Sequence, residues 1–432
     1  MAKAFIQEST LTDIADAIRG KLGVSTQYLP SEMADAIESI PTGGGGAVEK
    51  KDVNFYDFDG TLVASYTKGE AIELETLPTP PTHTNLTFEG WNYTLRDMQS
   101  YVGDYGKLDI GAMYHTTDGR MHLIFEADAD HLEASLNIGS TVSDAVWVDW
   151  GDGSEPERWI GTSVQRKTPT YSSAGVYDVG VSCESGRIVM STYLCGNKTV
   201  QGVDGSTKSV IANYDSRYTH IYLPSSVTEL GNNCFNCCSS LQSVMIPSSV
   251  TSLGSSCFQS CSSLQSVMIP SSVTSLGNNC FNYCSSLQSV MIPSSVTSLG
   301  SSCFQSCSSL QSVMIPSSVT SLGSNCFLSC SSLQSVMIPS SVTSLGSYCF
   351  QSCTSLQSVT IPSSVTSLGN YCFASCGILT QYHFKSATPP TITAANALTV
   401  GGGVTIYVPT SSLTDYQSAN IWSTWATKMA EE

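Results

Sequence analysis

From Pro224 onward the chain repeats every 23 residues, with prolines at 224, 247, 270, 293, 316, 339 and 362. One unit, residues 287–309, reads LQSVMIPSSVTSLGSSCFQSCSS. A unit this short cannot bury an apolar face alone. It becomes stable only by stacking on its neighbours, so the period itself demands a solenoid. With rungs spaced at about 4.8 Å, seven units give a rod of roughly 35 Å.

Each column of the repeat has a physical reading. Leu264, Val267 and Ile269 alternate toward the core from a short parallel strand. Pro270 ends that strand because it has no N–H for the ladder. Val273 and Leu276 face inward again, and Gly277 permits a reversal. Cys280, Phe281 and Cys284 are expected on a helical or 3₁₀ turn on the far side. Fourteen of the 17 cysteines stand in two columns, Cys234 to Cys372 and Cys238 to Cys376. Stacked identical side chains point the same way, which suits packing better than the crossed geometry of a disulfide. Some disulfides and a metal site are the alternatives, although no His joins the C-x-x-x-C pairs.

Charge divides the chain. Residues 231–379 contain no Asp, Glu, Lys or Arg, whereas residues 1–230 hold 32 acidic and 16 basic residues. The whole chain carries a net charge of -17 with no Lys/Arg cluster, which argues against binding a nucleic-acid backbone. No apolar run reaches 18 residues, so no membrane insertion is expected. The charged start MAKAFIQESTLTDIADAIRGK lacks the apolar core of a secretory signal.

The form I-P-S-S-V-T-S-L-G-x-x-C-F-x-x-C-S-S-L resembles the BspA-like leucine-rich repeat, found on bacterial surface proteins and in some viral ones. It departs from that pattern in one respect. The asparagine-ladder position carries Ser272 and its equivalents, so a hydroxyl must make the backbone pairing, and Cys replaces the usual Ala before Phe. Residues 382–432, with Thr405–Pro409, Tyr416, Trp422 and Trp425, resemble the terminal cap of such proteins.

The outward strand positions form candidate binding columns. Met245, Met268, Met291, Met314 and Met337 line up beside Gln242, Gln265, Gln288, Gln311 and Gln334. A flexible thioether ridge flanked by amides is an adaptable binding face. The alternative is that duplicated DNA copied one tolerated residue. The residues before the first Cys vary from unit to unit, as in Asn278-Asn279, Ser347-Tyr348 and Asn370-Tyr371, and mark an exposed edge.

Upstream, the N-terminal segment 1–42 carries two short helices, read over residues 10–40. Thr10 and Asp13 cap the first, with Leu11, Ile14, Ala15 and Ile18 on one face; Pro30 and Ser31 open the second. This segment resembles an N-terminal piece common on tail-associated proteins of bacterial viruses. A Gly-rich linker, 43–50, follows. Residues 51–110, with Val53–Phe55, Gly69, Pro78, Pro81 and Phe88-Glu89-Gly90-Trp91, resemble the internalin-type B-repeat. Within them, Tyr56-Asp57-Phe58-Asp59-Gly60-Thr61 resembles a haloacid-dehalogenase nucleophile motif. The βαβ spacing that this chemistry needs is missing, so an Asp-Gly turn between strands is the expectation.

Residues 111–195 read as a β-sandwich in which Met121, Leu123, Phe125 and Ala127 face inward. Trp147–Gly153 and Pro169–Val179 resemble the polycystic-kidney-disease-type (PKD) domain, a spacer and adhesive module. His115, His122 and His131, among Asp118, Glu126, Asp128 and Asp130, fit no ligand spacing. Asp149 and Asp152 could hold Ca²⁺, with turn hydrogen bonding as the plainer reading.

The expectation is therefore a mainly β, multidomain chain with a short helical N-terminus. A small β-module and a PKD-like sandwich precede a leucine-rich-repeat solenoid at 196–379 and a cap at 380–432. It has no catalytic residues, metal or cofactor. The resemblances imply an adhesion or receptor-binding protein of a bacterial virus, in tail or head fibre. Residues 1–41 would then hold other virion proteins, and the solenoid would meet a host glycan or protein. A bacterial cell-surface adhesin is the alternative, and a homo-oligomer is compatible with both.

Overall fold

The structure, a computed structural model, describes residues 51–432 apart from 58–60, 84, 106–107, 130–131, 134–135, 140–144, 160–164, 168, 184–187, 191–208 and 214–217. The expected helices at 1–42 and the linker at 43–50 lie outside the described residues. Among the described residues no helix is long and apolar enough to cross a membrane.

The first strands are β1 (Val53–Tyr56), β2 (Leu62–Tyr66), β3 (Leu86–Trp91) and β4 (Leu108–Thr116). They form a mixed sheet in the order β2-β1-β4-β3, with β1 antiparallel to β2 and parallel to β4. Helix α1 (Lys68–Ile72) opens with a capping box between Thr67 and Glu70, which satisfies two backbone donors that a first turn leaves open. Helix α2 (Leu95–Tyr105) sends Met98 and Val102 into a core with Phe55, Trp91 and Ile110. Strand β4 runs unbroken across the expected boundary between residues 110 and 111.

Next come β5 (Met121–Ala127), β6 (Leu136–Gly139), β7 (Val146–Asp149), β8 (Glu157–Trp159) and β9 (Gln165–Lys167). They are followed by β10 (Gly175–Cys183), β11 (Ile188–Met190), β12 (Ser209–Asn213), β13 (Tyr218–Tyr222) and β14 (Ser243–Met245). One sheet has the order β14-β13-β5-β10-β7-β8 and the other β11-β12-β6-β9. Met121, Leu123, Phe125 and Ala127 are buried, as their alternation requires. Tyr171 stacks on Phe125 and Tyr177, and its hydroxyl donates to the Trp150 carbonyl at 2.9 Å.

Strand β13 is the pivot of the molecule. It pairs antiparallel with β5 and parallel with β14, so it ends one fold and begins the next. The hydrophobic core is accordingly continuous from Met121 through the repeats to Trp425.

The solenoid makes about nine turns. On one side, strands such as Ser266–Met268 and Ser289–Met291 pair in parallel, residue for residue. On the second, two-residue strands such as Ser275–Leu276 and Ser298–Leu299 do the same. The Ser equivalents beneath them replace the asparagine ladder as expected: Ser295 Oγ donates to the Val273 carbonyl at 2.6 Å and Ser341 Oγ to that of Val319 at 2.6 Å.

The third side is a hydrogen-bonded turn and not a helix. Asn279 and Tyr283, like their equivalents in every rung, have φ near +60° (56° and 61°), which a right-handed helix does not allow. The left-handed turns aim N–H groups at the next rung. Asn279 N and Tyr283 N each donate at 2.9 Å, to the Ser301 and Gln305 carbonyls, and Phe281 N donates to Cys303 O at 2.8 Å. Gly277 is required by close approach: a Cβ there would sit 2.4 Å from the Ser255 nitrogen.

Inside, Phe258, Phe281, Phe304, Phe327, Phe350 and Phe373 stack nearly parallel, with successive centroids 5.3–5.5 Å apart. The second cysteine column packs beside them as thiols. Cys284 Sγ donates to Phe258 O at 3.1 Å and Cys307 Sγ to Phe281 O at 3.2 Å. Burial pushes the thiols of both columns up; Cys326, in the first column, is raised to about 12. Residues 380–432 add strands Gln381–Phe384, Thr405–Val408 and Met429–Glu431 to the parallel ladder. Tyr382 ends the phenylalanine stack edge-on, and buried Trp422 donates from Nε1 to Pro390 O at 2.8 Å.

Candidate functional site

The outer strand side of the solenoid carries the methionine and glutamine columns, and the structure treats identical rungs differently. Met245, Met268 and Met291 are 2%, 6% and 6% exposed, Met314 is half-buried, and Met337 is 43% exposed. The expected ridge is therefore not one continuous exposed surface. The sheet β2-β1-β4-β3 lies over its first rungs, and Met245 belongs to that sheet's core. Gly111 of β4 faces Met268 so closely that a Cβ would come within 1.7 Å of the sulfur.

Polar clasps hold this cover in place. Tyr93 donates its hydroxyl to Ile292 O at 2.9 Å. Glu89 accepts from Ser248 N at 2.5 Å and meets His115 Nδ1 at 2.9 Å. A methionine column suits such a cover, because an unbranched thioether fills irregular gaps.

The glutamines differ. Gln265, Gln288, Gln311 and Gln334 are exposed, whereas Gln242 is half-buried. Gln242 lines a cleft of about 340 Å³ at the seam between β5, β13 and the first two rungs, with Glu126, Asp128, Thr219, Ser240 and Ser263. Met314 still packs against the cover; beyond it, from Gln334 to Thr360, the outer side is open and uncharged. The variable edge also carries Tyr348 and Tyr371, both exposed and stacked at 5.1 Å. Their presence among the variable pairs was the available signal for this aromatic patch. Asn232 and Asn278 on that edge are structural in part, accepting from Ser255 N and Ser301 N at 2.7 and 2.8 Å.

The remaining candidates occupy ordinary structural roles. Asp57 lies in the connection between antiparallel β1 and β2, is 3% exposed, and meets His83 Nε2 at 2.7 Å; Asp59 lies outside the described residues. Asp149 accepts from Gly151 N and Asp152 from Ser154 N, the turn bonding that competes with Ca²⁺. His122 sits between Asp178 and Asp118, while His115 turns to Glu89, so the two do not converge. His131 lies outside the described residues. Among the described residues no group of three or more His, Cys, Asp or Glu is placed to hold a metal ion.

Residues 211–334 and 281–393 match the BspA type leucine rich repeat region, in six copies. The solenoid is a BspA-type leucine-rich repeat array. Among solved structures, the chain is similar to a leucine-rich repeat protein of T. pallidum at 30% identity and a TM-score of 0.36, covering 40% of this chain and 82% of that one. A leucine-rich repeat protein from Bacteroides ovatus is 21% identical over 56% of this chain and 74% of its own, with a TM-score of 0.34. A leucine rich cell surface protein from Faecalibacterium prausnitzii is 22% identical over 57% and 86%, with a TM-score of 0.29. No curated protein matches the chain. The family match is confined to the BspA-type array and leaves the sequence resemblances of residues 1–195 as they stood.

Proposed function

We propose that this chain is a non-enzymatic adhesion protein that works at a bacterial cell surface, with the BspA-type array as its recognition element. The carrying observation is the open, uncharged outer side from Gln334 to Thr360, beyond the sheet that covers the earlier rungs. Rigid parallel rungs hold amides, hydroxyls and one thioether there at fixed spacing. Such a surface recognises a neutral glycan or an uncharged protein patch. The one motif with catalytic associations offers no competing reading, because its Asp57 is buried against His83. The virion reading leans mainly on the resemblance of residues 1–42, whereas the BspA-type match supports the cell-surface reading, which is preferred.

The test is binding of the labelled full chain to candidate cells at low and high salt. A neutral contact is not steered electrostatically, so affinity should change little with salt. The triple variant Gln334→Glu, Met337→Glu, Gln357→Glu, at three exposed positions, should abolish binding with the melting temperature unchanged. Binding that collapses in salt, or survives the triple variant, overturns this reading.

A further inference from the structure

We propose that Tyr348 and Tyr371 form an oxidative cross-linking site, a pair of phenols placed to join as dityrosine and staple two neighbouring rungs. This goes beyond the adhesion reading and does not depend on what the array binds. Both stand in the left-handed column that precedes the first cysteine, with φ of 60° and 58°. Asn279, Ser302 and Asn325 hold the same position in the preceding rungs. Asn is at home in that backbone region, whereas a bulky ring is uncommon there. Two successive rungs carry one all the same. Tyr348 N donates to Asn370 O at 2.8 Å, which fixes the two rungs in register one residue from Tyr371. The rings are parallel within 8°, with centroids 5.1 Å apart, and are 37% and 39% exposed.

The geometry meets the demands of the coupling. Each phenol must reach the oxidant, here hydrogen peroxide acting through a haem peroxidase, and both rings are exposed. Each gives up one electron and its hydroxyl proton and becomes a radical. The two radicals must meet before either is quenched, and neighbouring rungs keep them in contact. A carbon–carbon bond then forms between ring carbons next to the two oxygens. The hydrogen on each joined carbon moves to its oxygen and restores the phenol. Two phenols and one peroxide thus give one dityrosine and two waters. The rings must turn from stacked to side by side, which the broad torsion at the tyrosine ring permits on an exposed edge. Other tyrosines fail one demand. Tyr171 and Tyr177 stack at 3.7 Å, but Tyr171 is buried with its hydroxyl on Trp150 O. Tyr283 is 51% exposed, but Ser260 and Ser306 hold its position in the adjacent rungs. The location suits a staple. Each rung of a solenoid touches only its neighbours, so the stack can open from an end. The rung of Tyr371 is already tied to the cap, with Phe373 N donating to Ala397 O at 2.8 Å. A covalent link one rung further in constrains the unfolded chain as a disulfide does.

The test treats the dilute full chain with peroxide and a haem peroxidase and isolates the monomer. The uncharged array offers trypsin no site, so the unfolded product is cut with chymotrypsin, which cleaves after Phe350, between the two tyrosines. Mass spectrometry should find the peptide of Tyr348 joined to that of Tyr371, two hydrogens lighter than their sum, together with dityrosine fluorescence. Tyr348→Phe and Tyr371→Phe should each abolish the joined peptide, and Tyr283→Phe should leave it. All three positions are exposed, so the variants should fold. The linked monomer should melt above the untreated chain, whereas Tyr348→Phe given the same oxidation should not. No joined peptide in the monomer, coupling between chains only, or coupling of Tyr171 with Tyr177 in its place overturns the site. A linked monomer that melts no higher overturns the staple.

Discussion

Gly111 and Met268 are in contact across the junction of the N-terminal sheet and the solenoid, and the glycine has no room for a side chain: a Cβ would stand 1.7 Å from the sulfur. This pair makes the methionine column a docking surface at its start and leaves it open at its end.

Oxidation should read that gradient directly. Peroxide should convert Met337 to the sulfoxide well before Met245, Met268 and Met291, as peptide mass spectrometry would show. In Gly111→Leu, where the cover must lift, the protected three should react at rates approaching that of Met337. Equal rates in the parent protein would contradict the docking.

Truncations should follow burial in the same way. Met268→Ala removes a buried thioether and should cost about 2–5 kcal/mol, whereas Met337→Ala should stay within about 0.5 kcal/mol. In the centre of the stack, Phe304→Ala should cost about 3–5 kcal/mol. Ser295→Ala, which loses one hydroxyl bond to Val273, should cost about 0.5–1.5 kcal/mol. Denaturant unfolding ranks all four.

Thiol chemistry should separate one cysteine from the columns. Cys237 is exposed and should alkylate in the native protein, while the buried columns should react only after unfolding. The folded thiols titrate higher than unfolded ones, so their protonated form stabilises the fold below the unfolded value. That contribution should be lost as pH rises from about 9 toward about 12, the raised value of Cys326. Alkaline melting curves, with Cys326→Ala flattening part of the slope, check this.

His122 should give a second pH signature. Burial alone would lower it, but the bonds and charges of Asp178 and Asp118 outweigh burial and raise it above 6.5. Its raised value means stability that is present at lower pH and lost as pH climbs through the folded titration. Asp118, held low by the Arg120 backbone and His122 against its burial, contributes in the opposite sense and loses its share in acid. His122→Gln should remove the neutral-side decline, measured as melting temperature against pH.

The period of 23, the inward Leu, Val, Ile and Phe columns, the serine ladder and the packed thiols all follow from the sequence by itself. Each is a property of one rung repeated, and stacking allows few alternatives. The far-side turn was legible in place but not in conformation, because nothing in Asn279 or Tyr283 announces that both must be left-handed. The tertiary structure alone decided where the columns stop being equivalent. Met268 and Met337 sit in nearly identical sequence, so no local pattern can tell buried from exposed. A separate sheet, docked through Gly111, Tyr93 and Glu89, breaks the symmetry of the repeat. In the same way, only the pairing of β13 with both β5 and β14 brought Glu126 and Asp128 beside Gln242, across more than a hundred residues of chain. Docking and sheet joining are set by surfaces far apart in sequence, and that is why the candidate site could not be read from the repeat.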